Sequence, residues 1–108
     1  NQINLLETQG AFFLDEINSV RFNSSSMSYN LTDFNIDMQD PYLVYLNDKS
    51  PVWFNSKQLN YDLKTNSIYT ETLTNIYFDE GYIKSNKVVF NLIDYKVYLE
   101  DSPEFHLR

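Results

Sequence analysis

Two stretches of this chain superimpose at a constant offset of 29 residues. Residues 56–78 read SKQLNYDLKTNSIYTETLTNIYF, and residues 85–107 read SNKVVFNLIDYKVYLEDSPEFHL. Ser56 falls on Ser85, Leu59 on Val88, Tyr61 on Phe90, Leu63 on Leu92, Ile68 on Val97, Tyr69 on Tyr98, Glu71 on Glu100 and Ile76 on Phe105. A third copy lies upstream at an offset of 32, where Ser24, Met27, Tyr29, Leu31 and Ile36 match Ser56, Leu59, Tyr61, Leu63 and Ile68. A period of about 20 to 50 residues marks an architecture of stacked units, each touching its neighbours.

Within a unit the apolar residues alternate: Leu59, Tyr61, Leu63; Val88, Phe90, Leu92; Met27, Tyr29, Leu31. Alternation places them on one face of a strand. Turn residues follow each run, at Lys64-Thr65-Asn66-Ser67, Ile93-Asp94-Tyr95-Lys96 and Thr32-Asp33-Phe34-Asn35. Second strands are expected over 68–74, 97–101 and 36–38, so each unit reads as a β-hairpin. One hairpin is marginal in water, whereas stacked hairpins share an apolar face. Tyr42-Leu43-Val44-Tyr45-Leu46 reads as an added strand buried on both sides. Residues 11–14 and 19–22 read as two more strands, and 5–9 as a turn. Helical spacing is not sustained anywhere. Pro41, Pro51 and Pro103 are expected at strand starts, edges or bulges, because proline cannot donate to a ladder.

One domain is expected for 108 residues. Aromatic residues make up 17% of the chain and favour strands. No cysteine is present, which excludes disulfides and thiolate chemistry but fits a reducing cell interior and a periplasm equally. The net charge of −7 argues against nucleic acid and against anionic membrane surfaces. No apolar run approaches the roughly 20 residues of a membrane helix. The chain starts at Asn1 without methionine, and a preceding segment is expected to have been removed by processing or truncation.

Catalytic chemistry is hard to assemble from these residues. His106 is the one histidine and is expected to be exposed on an edge strand. No Cys/His cluster suits zinc, and Gly10 and Gly81 stand too far apart for a phosphate loop. The doublets Asp15-Glu16, Asp79-Glu80 and Glu100-Asp101 read as solvated strand-end charges that discourage aggregation. Asp33, Asn35, Asp37 and Asp40 lack the central Gly and closing Glu of a calcium loop. Neither a metal nor a cofactor is expected. Asn23-Ser24-Ser25 and Asn30-Leu31-Thr32 match the glycosylation pattern, as an Asn-rich chain does by chance.

What remains is apolar strand surface. Met27, Tyr29, Ile36, Met38, Leu59, Tyr61, Ile68, Val88, Phe90, Val97 and Leu99 would be plain core in an ordinary sandwich. In a stacked-hairpin fold two sheets face each other along an open-ended trough. The same residues then serve as core and as lining for a long apolar ligand.

The units resemble those of the lipopolysaccharide-export LptC and LptA (OstA-like) superfamily. The shared pattern is a small residue, spacers, apolar–x–Tyr/Phe–x–Leu, a polar turn and an alternating strand, here SKQLNYDLKTNSIYT and SNKVVFNLIDYKVYL. The proline-bearing MSYNLTDFNIDMQDPYLVYL followed by two further units is closest to LptC, and the resemblance runs from about Val20 to Leu107. The Gly-x-Val often found in that family's closing strand is replaced by Ser102-Pro103-Glu104-Phe105. The resemblance implies an all-β, half-open twisted β-jellyroll, or β-taco. It implies a periplasmic domain held at the inner membrane of a Gram-negative bacterium by an N-terminal anchor absent from this chain. Its ligand would be lipopolysaccharide, taken from an ABC transporter and handed to the next β-jellyroll, with an acidic exterior repelling phosphates everywhere except the mouth. Neighbours would join by edge-strand addition. The expected edges are Ala11, Phe12, Phe13 and Leu14 at one end, and Lys96, Val97, Tyr98, Leu99, Phe105 and Leu107 at the other. The competing expectation is a non-catalytic assembly module with a solid core and no lipid ligand. An enzyme is the least supported reading.

Overall fold

Five hairpin turns begin with the same local chemistry. A side-chain oxygen of Asp15, Asn30, Asn47, Asp62 or Asn91 accepts a hydrogen bond from the backbone N–H two residues on, at 2.8–3.0 Å. Such Asx turns reverse the chain without a flanking partner. Phe34, Asn66 and Tyr95 take up positive φ in three of them, at 54°, 52° and 57°. These three occupy equivalent places in the sequence repeat. The carbonyl of Phe34 accepts from Leu63 N–H (2.9 Å), and that of Asn66 from Leu92 N–H (3.0 Å). The Phe34 and Asn66 turns are therefore each stitched to the next unit.

The computed structural model describes residues 2–100 and 102–107; Asp101, included in the expected strand 97–101 and in one acidic doublet, lies outside them. The described residues form twelve strands and no helix. They are β1 (Gln2–Phe13), β2 (Ser19–Asn30), β3 (Asn35–Gln39), β4 (Tyr42–Leu46), β5 (Val52–Ser56), β6 (Gln58–Asp62), β7 (Ser67–Thr70), β8 (Thr74–Phe78), β9 (Gly81–Ser85), β10 (Lys87–Asn91), β11 (Lys96–Glu100) and β12 (Glu104–Leu107). All pairings are antiparallel, in the order β11-β10-β7-β6-β3-β2-β4-β5-β8-β9-β12, with β1 on the other edge of β2.

The long strand β2 explains the shape. Its C-terminal half pairs with β3 and its N-terminal half with β4. The ribbon of β1 and β2 thus runs through a fold line and belongs to two facing sheets. Sheet 1 continues through β3, β6, β7, β10 and β11; sheet 2 continues through β4, β5, β8, β9 and β12. The chain passes from one sheet to the other at short corners, and the hairpin turns lie along the opposite, open side. The result is an all-β, half-open, strongly curled antiparallel sheet, a β-jellyroll of the taco kind.

The fold line has its own chemistry. At Glu7 (φ 47°) and Ser25 the inward-facing positions change parity. Val20, Phe22 and Ser24 point inward before the corner, and Met27 and Tyr29 after it. Ser25 Oγ donates to the Gln39 carbonyl (3.0 Å). Ser56 Oγ donates to Gln58 O (2.9 Å), and the single Ser85 hydroxyl proton is shared between Lys87 O (2.9 Å) and Glu100 O (2.8 Å). In the second and third units the serine that opens the repeat, Ser56 or Ser85, is a corner hydroxyl that satisfies a backbone carbonyl at the bend. In the first unit the neighbouring Ser25 does this, while the aligned Ser24 hydroxyl is buried without a partner.

Several sequence expectations need correction here. Residues 5–9 are not a turn but part of β1, kinked at Glu7. The expected strand 68–74 is broken at 71–73, where the chain changes sheets from β7 to β8. The strand Tyr42–Leu46 is buried on one face only: Leu43 and Tyr45 are inside, while Tyr42 is 45% exposed. All three prolines immediately precede a strand, β4, β5 or β12, as expected.

Candidate functional site

Cross-strand register brings every residue of the expected trough lining onto one surface, the inner face of sheet 1. One row runs Ile3–Tyr29–Ile36–Tyr61–Ile68–Phe90–Val97. The adjoining row holds Leu5, Met27, Met38 and Leu59, then Thr70, Val88 and Leu99. The surface facing it is the inner face of sheet 2, where Phe22, Leu43, Phe54, Ile76, Ile83 and Phe105 form a third row.

Exposure along these rows is graded. Met38, Leu59, Tyr61, Ile68 and Val88 are fully buried, and Ile36 and Phe90 nearly so. Met27, Tyr29, Val97 and Leu99 are half-buried. Beyond them Ile3 and Leu5 are exposed at one end, and Phe105 and Leu107 at the other. The middle of the interior is a closed core, and among the described residues it is uncapped at both ends.

Aromatic side chains close the middle. Phe12 leaves the edge strand β1, stacks on Phe22 (5.1 Å) and reaches Tyr61 of the opposite sheet (4.6 Å). Phe54 meets Phe90 edge-on across the interior at 5.2 Å. Tyr45 packs against Phe90 (6.0 Å) and Tyr95 (5.8 Å), and its hydroxyl donates to the Leu92 carbonyl at 3.2 Å. That bond ties β4 of sheet 2 to the end of β10 in sheet 1. Burial pushes the Tyr45 and Tyr95 phenols up, and pushes that of Tyr61 up to about 12.

Toward the C-terminal end the interior opens. A cavity of about 350 Å³ enters between the sheets, walled by Val52, Ile76, Phe78, Ile83, Phe90 and Val97. Tyr95, Lys49 and Glu80 stand around the same opening. A second, more polar hollow of about 390 Å³ lies beside it, where Asp15 and Asp48 face Tyr45 and Tyr95. Hydrogen bonds from the Asn18 side chain and from the Asn18 and Ile17 backbone hold the Asp15 carboxyl below its usual range. Lys49 therefore stands among Asp15, Asp48 and Glu80. Among the described residues around this opening three carboxylates stand with one lysine, so the mouth shares the acidity of the exterior.

Of the expected edge residues, Ala11, Phe12 and Phe13 lie on β1 and the C-terminal ones on β11 and β12, whereas Leu14 falls just beyond β1 and packs against the core. Among the described residues β1 pairs only with β2, β11 only with β10, and β12 only with β9. Phe13 is 74% exposed, whereas Phe12 is turned into the interior. His106 is exposed on β12, stacked on Tyr82 at 4.4 Å. Among the described residues no group of three or more His, Cys, Asp or Glu side chains could hold a metal ion.

Sequence reasoning assigned the inner face of sheet 1 and, of sheet 2, the strands around 19–22 and 42–46, leaving β5, β8 and β9 unassigned. The repeat carries the first through clean alternation. The unassigned strands are built from pairs of apolar residues beside turns, Val52 and Phe54, Ile76 and Ile83, too short to stand out. No family model matches the sequence, and no curated protein matches it.

Proposed function

We propose that this jellyroll is a non-catalytic carrier of a long amphiphile, and specifically a lipopolysaccharide-transport component of the LptC kind. In this reading it sits in the periplasm at the inner membrane, receives lipopolysaccharide from an ABC transporter and passes it to the next jellyroll. The observation that carries the reading is the uncapped C-terminal end of the interior. There an apolar cavity of about 350 Å³ leads from the half-buried Val97 toward the closed core. Acyl chains entering it would remove apolar surface from water, at about 25 cal/mol per Å². The acidic mouth keeps a phosphorylated head in solvent rather than binding it, which suits release. Handover to a neighbour uses the free edges of β11 and β12, whose unpaired backbone groups accept another strand.

The test is capture of lipopolysaccharide by a photo-crosslinking residue at Val97 or Phe90, with Glu71 on the outer surface as control. Adducts at the first two positions and none at Glu71 support the carrier. No adduct at either position in a folded protein sinks it.

One observation favours a second reading. The fully buried Met38, Leu59, Tyr61, Ile68 and Val88 make a solid centre. An assembly module that joins neighbours through its edges and holds no lipid needs nothing more than that.

A further inference from the structure

The outer face of sheet 2 carries a feature that amphiphile transport does not use. Register places Trp53 on β5 beside Tyr77 on β8, then Tyr82 on β9 and His106 on β12. These residues form one outward row across four strands. Its far end is already engaged: Tyr77 packs against Tyr82 at 5.7 Å, His106 stacks on Tyr82, and Lys84 Nζ lies 5.9 Å above the Tyr82 ring. That lysine is an internal example of a cation held by this row. Beside the near end lies a cleft of about 430 Å³, lined by Tyr42, Trp53, Tyr77, Phe78 and Asp79.

We propose that this cleft binds a quaternary ammonium group. Tyr42 and Tyr77 are 45% and 39% exposed, so both present aromatic surface to a ligand. Aromatic π-faces attract a cation, Trp most strongly, and three such residues, Tyr42, Trp53 and Tyr77, line this cleft together with Asp79. Asp79 supplies the opposite charge, and no lysine or arginine is among the residues lining the cleft. A neighbouring hollow that shares Tyr42 contains Lys57. The chain's net charge of −7 adds a favourable field for a cation. A trimethylammonium group is preferred over a lysine ammonium because it is weakly hydrated. One carboxylate and aromatic walls offer too few acceptors to replace the water around three N–H donors.

Trp53 is the only tryptophan of the chain, so its emission reports on this cleft directly. Choline chloride is titrated into the intact protein, with 3,3-dimethyl-1-butanol as a neutral ligand of the same shape. The expected result is a saturable change with choline, at a dissociation constant of about 1 mM or below, and a response to the neutral analogue at least tenfold weaker. Asp79→Asn and Tyr77→Leu, each with an unchanged circular dichroism spectrum, should weaken choline binding by about two- to thirtyfold. Phosphatidylcholine vesicles separate the two sources of the group. A vesicle response alongside the choline response points to a lipid head group, and choline alone to a free solute. Equal binding of choline and its neutral analogue would overturn the proposal, leaving an apolar cleft only. So would no choline response, even if vesicles bind.

Discussion

Tyr45 joins the two sheets through both its ring and its hydroxyl. Removing the hydroxyl as Tyr45→Phe leaves the packing on Phe90 and frees the Leu92 carbonyl, at an expected loss of about 1 kcal/mol in urea denaturation. Tyr61 makes a prediction in pH. Its folded-state pKa is raised to about 12 by burial, whereas an unfolded tyrosine ionises near about 10. As pH rises the unfolded chain gives up this proton first. The contribution is intact below pH ~10 and is lost progressively up to pH ~12. Denaturation across that window should show falling stability, with a shallower fall in Tyr61→Phe. Gly81 is the tighter of the two glycine positions. It has a φ of 149°, and an added Cβ would lie 1.9 Å from the His106 carbonyl oxygen. Gly81→Ala should therefore weaken the docking of β12 by about 1–3 kcal/mol. Faster amide exchange over 104–107, with β6 and β10 unchanged, is the expected signature.

At the scale of elements, the terminal strands combine free backbone edges with apolar side chains. Phe105 points inward from β12 yet is 60% exposed. Phe105→Lys should cost less than about 1 kcal/mol in stability, because little packing is lost. It should block strand addition at that edge, since inward-pointing charge is a known protection against sheet extension. Native stability with undiminished partner binding or self-association would contradict the edge assignment. The same elements show what was legible in the chain. The hairpins β6–β7 and β10–β11 could be read from the repeat, because Leu59/Tyr61 and Val88/Phe90 alternate cleanly before an Asx turn. The corners could not. Parity changes at Ser25, and the chain switches sheets at residues 71–73, through backbone bends that a count of alternating residues does not register. The strands β5, β8 and β9 were hidden for a related reason. Their outward residues, Trp53, Tyr77 and Tyr82, are as apolar as the inward ones and blur the period of two.

For the whole molecule, the central fact is the gradient from closed middle to uncapped ends. Core substitutions and end substitutions should therefore behave differently. Leu59→Ala, at the centre, should cost about 2–5 kcal/mol, whereas Leu99→Ala, half-buried at the C-terminal end, should cost distinctly less in the same denaturation series. Ligand entry should follow the same gradient, since the ends can admit an acyl chain without first breaking the Phe54–Phe90 and Tyr45–Leu92 contacts. The most direct measurement is methyl NMR of the intact protein on addition of lipopolysaccharide. Shifts at Ile83, Val97 and Leu99, with Leu59 and Ile68 in the closed middle little changed, are the predicted result. An interior in which none of these methyls responds would contradict the carrier and leave the solid assembly module.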